Sequence, residues 1–335
     1  MTPAETLDRA LGALTGVAVG DALGMPAQTM ERTEIIRHYG KITGFVAPCD
    51  DHPVSHGLLA GMVTDDTEQT LLLARMLIDH PGRFDDSAWA QALLRWEADV
   101  RARGLRDLLG PSSKAALDAL LAGVPASETG RRGTTNGAAM RIVPVGIAVP
   151  PGDPQHLVDR VEAACRVTHN TGEAIAAAAA VASVISQGVA GATFEQSVQG
   201  ALTAARIGNR RGAAVGEGDM AGRIALALSV ATDEARLARE IGTSVASSTS
   251  VAAAFGVVRL ARGDPWAAAV IAANIGDDTD TIGAIATAMA GACSGLSAFP
   301  QDRVEQVMQA NALDLRPIVN ALLTQRAAHT RGTPA

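Results

Sequence analysis

Aromatic residues make up only 3% of this 335-residue sequence. A core so poor in rings has to be filled by alanine, leucine, valine and isoleucine, which favours closely spaced helices. Lysine is nearly missing: Lys41 and Lys114 are the only two, so the positive charge rests on arginine, and the formal net charge is −7. That balance excludes a general attraction to nucleic acid or anionic lipid. The three cysteines, Cys49, Cys165 and Cys293, are scattered without metal-type spacing. They exclude a disulfide framework and point to a reducing, cytoplasmic setting. The opening MTPAETLDRA has neither a basic nor an apolar signal region, so no secretory signal is expected. Long runs of Leu, Ile and Phe are also missing. The apolar stretches 174–186 and 281–299 consist mainly of Ala, Gly, Ser and Thr, which fall short of a membrane span and read as buried helices. Alternation of the strand type is not found either.

What is present is helical periodicity, over a composition 47% hydrophobic. The pattern predicts helices at 4–20, 31–39, 65–79, 87–103 and 111–122. Ten more follow at 153–167, 171–187, 194–207, 219–229, 233–246, 250–262, 265–274, 279–294, 301–310 and 314–328. Segments 41–63, 124–137 and 208–218 gather Gly, Pro, Asn and His and read as loops. No linker is long or polar enough to force a boundary. We expect a single all-α domain over 1–330, with 331–335 as a disordered tail. In GVAVGDALG, Gly16, Gly20 and Gly24 fall on one helical face, where missing side chains let another backbone approach.

Two acidic clusters stand out: Thr64-Asp65-Asp66-Thr67 and Gly276-Asp277-Asp278-Thr279-Asp280-Thr281. Each opens an apolar helix. One carboxylate there would be an ordinary N-cap, but clustered carboxylates repel by about 1 kcal/mol per close pair even at solvent-like dielectric. A cation should offset that repulsion. An all-oxygen set suits Mg²⁺ or Mn²⁺ better than zinc. Within a helix, neighbouring side chains diverge by about 100° each and cannot converge on one ion, whereas in a loop entering a helix they can. A calcium loop starting at Asp278 fails, because its twelfth position is Met289. Thr64, Asp65, Asp66, Asp278, Asp280 and Thr281 together suit two divalent ions. His52 and His56 are four apart, but Pro53 opposes a helical metal pair there.

On these residues the chain resembles the ADP-ribosylglycohydrolase family, which includes dinitrogenase reductase-activating glycohydrolases and ADP-ribosylarginine hydrolases. The matching blocks are GVAVGDALG at 16–24, TDDT at 64–67, NGAAMR at 136–141, Thr168-His169, and GDDTDTIG at 276–283. They run through almost the whole chain. The resemblance implies an orthogonal multi-helix, all-α fold with a cleft holding two Mg²⁺ or Mn²⁺ on the six residues above. It implies cleavage of the bond from ribose C1 to a nitrogen or oxygen of an ADP-ribosylated protein or a small ADP-ribosyl or ribosyl compound. A metal-oriented water would attack, and one of Asp65, Asp66 or Asp278 would take its proton. Asn136 and Gly137 match a substrate-contacting loop, and His169 a position near the ribose and phosphate. Two departures are visible. Where many members have a Pro-x-Glu, this chain reads Pro26-Ala27-Gln28, and Gln28 can hydrogen-bond a substrate but cannot act as a base. The stretch Asp107-Leu108-Leu109-Gly110 is one residue longer than the family's Asp-x-Gly, so Asp107 is only a loose match to a residue near the metals. Two alternatives stand beside hydrolysis of ADP-ribosyl bonds. One is a nucleoside N-ribohydrolase with the same metals; the other is a non-catalytic ADP-ribose binder or structural protein, since lens crystallins resemble this family.

Overall fold

The computed structural model describes residues 1–104, 109–216 and 218–331. Among them seventeen α-helices follow one another. The first seven are α1 (Pro3–Gly24), α2 (Arg32–Tyr39), α3 (Asp65–Asp79), α4 (Asp86–Ala102), α5 (Pro111–Leu121), α6 (Gly137–Met140) and α7 (Val143–Ala148). Then come α8 (Pro154–Cys165), α9 (Gly172–Val189), α10 (Phe194–Gly208), α11 (Met220–Val230), α12 (Glu234–Ile241) and α13 (Ser247–Leu260). The last four are α14 (Pro265–Ala273), α15 (Thr279–Ser294), α16 (Gln301–Ala310) and α17 (Arg316–Arg331). Extended pairing among the described residues is limited to isolated bridges, Met30 with Asp277, Thr135 with Ala246 and Thr171 with Ala213. The all-α expectation therefore holds.

Local chemistry explains the ends. Thr2 and Glu5 form a capping box, with Pro3 as the first residue of α1. Asp85 accepts from the backbone N–H of Ser87 and Ala88 at the start of α4. Gly40 ends α2 at φ 67°. One expected helix, 233–246, is shorter than its pattern: α12 stops at Ile241 because Gly242 turns left-handed at φ 84°. Residues 243–246 then run out as a segment that touches the acidic site. Helices α6 and α7 were not foreseen, since glycine, proline and β-branched residues in GAAMRIVPVGIAV blur the helical signal.

Small residues set the spacing of the core. The α9 sequence AIAAAAAVASVIS is buried throughout, and its neighbours approach to backbone distance. A Cβ on Gly208 would lie 2.7 Å from Ala176 Cα, and one on Gly188 would lie 2.8 Å from the carbonyl of Ala292. By length and apolar composition, the stretch Pro3–Ala27 and helix α9 are able to cross a membrane, yet both are almost wholly buried within the protein. The closest contact joins α1 and α15, antiparallel. A Cβ on Gly12, Gly16, Gly20 or Gly24 would come within 2.4 Å of the carbonyl oxygen of Gly291, Thr287, Gly283 or Thr279 respectively. This explains the glycine repeat, which the sequence places on one face.

Candidate functional site

The glycine seam brings the end of α1 against the start of α15. There Thr279 Oγ1 donates to the Gly24 carbonyl at 2.8 Å. One turn back on α1, Asp21 is fully buried and reaches across to α3. Its carboxylate accepts from Thr64 N at 2.9 Å, Thr64 Oγ1 at 2.8 Å, Thr67 N at 3.1 Å and Thr67 Oγ1 at 2.5 Å. Asp21 thus meets the orphan N–H groups at the N-terminus of α3 from another helix. Thr64 occupies the N-cap position of α3 but does not cap it with its own side chain. Neither does Asp278 cap α15. The acidic residues at these two helix starts are therefore not explained as caps.

Asp65, Asp66, Asp278 and Asp280 are all buried, at 9%, 1%, 9% and 3% exposure. Gln69 Nε2 donates to Asp65 Oδ2 at 3.2 Å, and the Asn136 amide donates to Asp278 Oδ2. Thr281 Oγ1 reaches Asp66 Oδ2 at 3.4 Å. Asp66 Oδ1 and Asp280 Oδ1 are buried without a hydrogen-bond partner. The turn leading into this site is strained. Asp277 and Thr29 are both left-handed, at φ 63° and 66°; Thr29 N donates to the Asp277 carbonyl and Asp277 N to the Met30 carbonyl, each at 2.7 Å.

Burial raises every carboxyl pKa in the group. Asp21 is pushed up to about 6, against the opposing hydrogen bonds from Thr67 and Thr64. Asp278 rises to about 7, with Asn136 pulling the other way. Asp65, Asp66 and Asp280 stand well above the usual carboxylate range, through burial first and then each other's charge together with that of Asp21 or Asp278. These are groups that require a positive counterpart to ionise together. Among the described residues, no three His, Cys, Asp or Glu side chains are already drawn into a coordination shell. The donor set is nevertheless all oxygen, and two of its buried atoms are partnerless, which fits hard divalent ions.

Behind the acids lies a buried polar chain. Arg141, 1% exposed, donates from Nη1 to Gln69 Oε1 at 2.7 Å and from Nη2 to Thr168 Oγ1 at 2.5 Å. Its guanidinium carbon is 5.4 Å from the centroid of Trp89. Burial lowers its pKa to about 10, which leaves it a cation at neutral pH. His169 has no exposed surface, and its two ring nitrogens lie 2.8 Å from Thr168 Oγ1 and 3.0 Å from Thr135 Oγ1. Burial, and secondarily Arg141, keeps it well below the ordinary histidine pKa and hence neutral. Gly137 is required beside it, since a Cβ there would sit 2.9 Å from His169 Cε1. Asn136, 5% exposed, is fixed by its backbone N–H to the Val245 carbonyl at 2.9 Å and by its amide to Ser250 Oγ at 2.9 Å.

The structure thus gathers the two acidic clusters and Asn136. It places Gly137 and His169 together one layer behind, and sets Gln28, 8% exposed, in the turn next to Asp277. Asp107 lies outside the described residues. His52 is buried and His56 exposed. Two residues carry more than their sequence suggested. Asp21 appears in the sequence only as one letter of GVAVGDALG. Arg141 passed as the last letter of NGAAMR, although a lone arginine opening the apolar run IVPVGIAV was a usable signal.

The sequence model of the ADP-ribosylglycohydrolase family matches residues 2–332. YegU of Escherichia coli strain K12 is 34% identical over 326 residues, covering 95% of this chain and 97% of its own length. The ADP-ribosylarginine hydrolase Tri1 of Pseudomonas putida strain GB-1 is 29% identical over 313 residues, 92% of this chain and 76% of its own. A solved structure described as an ADP-ribosylglycohydrolase-related protein complex superposes with a TM-score of 0.70 at 26% identity, over 96% of this chain and 99% of that one.

Proposed function

The chain belongs to the ADP-ribosylglycohydrolase family, a family of glycosidases, and we propose that it hydrolyses an ADP-ribosyl bond using two divalent ions, Mg²⁺ or Mn²⁺. Thr64, Asp65, Asp66, Asp278, Asp280 and Thr281 would hold the ions. The observation that carries the metal reading is the pair of buried, partnerless oxygens, Asp66 Oδ1 and Asp280 Oδ1, within a group of five buried carboxylates. Left ionised and unpaired, such groups are costly. Bound there, the ions would supply Lewis acidity and a water of lowered pKa.

The chain's own residues divide the remaining work. Asp65 and Asp278, each 9% exposed, are the least buried of the four acids and suit the uptake of a water's proton. Asp66 and Asp280 lie deeper, which suits charge balance and ion binding. Asn136 and Gln69 hold Asp278 and Asp65 in orientation. The surrounding negative charge stabilises a sugar centre that turns oxocarbenium-like as the bond to the leaving nitrogen or oxygen stretches. The substrate is an ADP-ribosylated protein side chain or a small ADP-ribosyl compound. Three free cysteines agree with a cytoplasmic protein.

A panel assay tests this reading. ADP-ribosyl-arginine, ADP-ribosyl-serine, O-acetyl-ADP-ribose and free nucleosides are incubated with Mg²⁺, with Mn²⁺ and with chelator. We expect at least one ADP-ribosyl compound to be cleaved, with loss in chelator and recovery on adding ions. Cleavage of nucleosides alone would support the N-ribohydrolase alternative. Binding of ADP-ribose without any cleavage would support the silent binder.

A further inference from the structure

One loop grips the turn Met25–Gln28 from two directions. The His52 ring nitrogen Nδ1 accepts from the backbone N–H of Val54 at 3.2 Å and of Ser55 at 2.8 Å. With Nδ1 an acceptor, the neutral ring must carry its proton on Nε2, which therefore donates to the Gln28 carbonyl at 3.0 Å. Burial lowers the pKa of His52, in keeping with that neutral form. Ser55 holds the same residue by its side chain. Its hydroxyl donates to the Met25 carbonyl at 3.0 Å, a partner that can only accept. The hydroxyl proton is thereby used, so toward Gln28 Ser55 Oγ can only accept, and it takes Gln28 Nε2–H at 2.6 Å.

This relay decides which way the amide faces. Turned over, Gln28 would bring its oxygen against the Ser55 oxygen, whose only proton is committed to Met25. One hydrogen of the amide nitrogen is thus spent inside the fold. Gln28 Oε1 receives no hydrogen bond from the described residues, and the side chain keeps 8% exposure. Its neighbour Thr29 bonds the backbone of Asp277, so the turn abuts the acidic site.

We infer that Gln28 is a specificity-determining residue of this site, clamped by Ser55 and His52 so that its amide oxygen accepts a hydrogen from the substrate. The inference rests on the glycohydrolase reading for the substrate's identity, though not for the clamp. Two parts of an ADP-ribosyl compound offer such a hydrogen: a ribose hydroxyl, and the N–H of a nitrogen leaving group. Ser55 and His52 are positioning residues that act through Gln28.

The test has two arms. The first needs no substrate. In ¹⁵N-labelled protein, the Gln28 side-chain NH₂ signals are identified by their disappearance in Gln28→Ala. We expect slow exchange with water in the wild type and fast exchange in Ser55→Ala; fast exchange in both would overturn the clamp. In the second arm, kcat/KM is measured on whichever ADP-ribosyl compound is cleaved. Gln28→Ala and Ser55→Ala should each lose about 10-fold, the worth of one hydrogen bond, and the double variant should be no worse than Gln28→Ala. Ser55→Thr, which keeps the hydroxyl, should recover most of the loss. Additive losses would overturn the assignment. An equal effect on N-linked and O-linked substrates identifies the ribose hydroxyl; an effect confined to N-linked ones identifies the leaving nitrogen. Should the wild type cleave nothing while its Gln28 signals stay protected, the failure belongs to the glycohydrolase reading. ADP-ribose affinity by calorimetry then decides the role of Gln28, with about 10-fold weaker binding in both single variants supporting it and unchanged binding overturning it.

Discussion

Arg141 and Asp65 are joined through one side-chain amide. Gln69 takes a hydrogen bond from Arg141 at 2.7 Å and gives one to Asp65 at 3.2 Å. A guanidinium has only donors and an ionised carboxylate only acceptors, so the two charges fix the direction of the Gln69 amide between them. A buried cation is thereby tied to the acidic site without touching it. The same guanidinium holds Thr168, which lies against His169. Acids, amide, cation and imidazole form one connected unit, and disturbing one member should be felt by the rest.

Removing the cation should be costly. Arg141→Met leaves Gln69 Oε1 and Thr168 Oγ1 without their donor and removes the buried cation tied to Asp65 through Gln69. We expect a loss of about 3 kcal/mol in folding stability, read from urea midpoints at constant m-value. Arg141→Lys should recover only part of it, because an ammonium lacks the fork that spans both partners. A loss below about 1 kcal/mol would show that the buried chain contributes little.

Ion-free protein should become less stable as pH rises. The folded pKa values of Asp21 and Asp278, about 6 and about 7, lie above the ordinary value of 3.8. The folded state therefore binds more protons than the unfolded one across that interval, and stability falls from about pH 4 up to about pH 7. Ions that neutralise the acids cancel the penalty. In thermal melts, the gain in Tm on adding Mn²⁺ to chelated protein should be small at pH 5 and large at pH 8. A gain independent of pH would argue that the ions bind elsewhere.

Metal content should track the acidic clusters. Elemental analysis of protein purified without chelator should find close to two Mg²⁺ or Mn²⁺ per chain, in line with six oxygen ligands. Asp278→Asn should lose much of this, since the amide withdraws a charge and opposes the amide of Asn136. Asp66→Ala should abolish turnover to near background. Full metal retention by Asp278→Asn would remove that residue from the ligand set, and wild-type turnover by Asp66→Ala would refute the metal mechanism.

The glycine seam should tolerate nothing larger than hydrogen. In Gly20→Ala the new Cβ would fall 2.1 Å from the Gly283 carbonyl oxygen, with backbone on both sides and no side chain to yield. We expect destabilisation of at least about 3 kcal/mol, with helical circular dichroism kept at low denaturant. A neutral result would mean that α1 and α15 can separate without disturbing the fold.

Much of this architecture is legible from local pattern, because helices declare themselves by period and caps. Residues 65–79, 279–294 and 301–310 were expected at the bounds the structure has. Legibility fails where one residue overrides the pattern. Gly242 ends α12 five residues short of its periodic signal, and the segment that follows gives the Thr243 carbonyl to Asp278 N and the Val245 carbonyl to Asn136 N. In the site, the acidic clusters are conspicuous because like charges side by side demand a reason. Asp21, Arg141 and Ser55 are not conspicuous. Each is a single polar residue whose partners come from distant segments, and no spacing rule reveals such a partner.

The seam between α1 and α15 also sets an order of events in time. Gly24 and Thr279, which bond across it, are separated by 255 residues. At about 5–20 residues per second, a ribosome needs roughly 10 to 50 s to make that interval. Throughout it the flat glycine face of α1 emerges without the helix it was shaped for, and Asp21, Asp65 and Asp66 wait for Asp278 and Asp280. The nascent chain must keep its first helix from wrong partners until nearly nine-tenths of the protein has been made. Closure of the acidic site is a late event of synthesis, and folding governed by so distant a contact is slow.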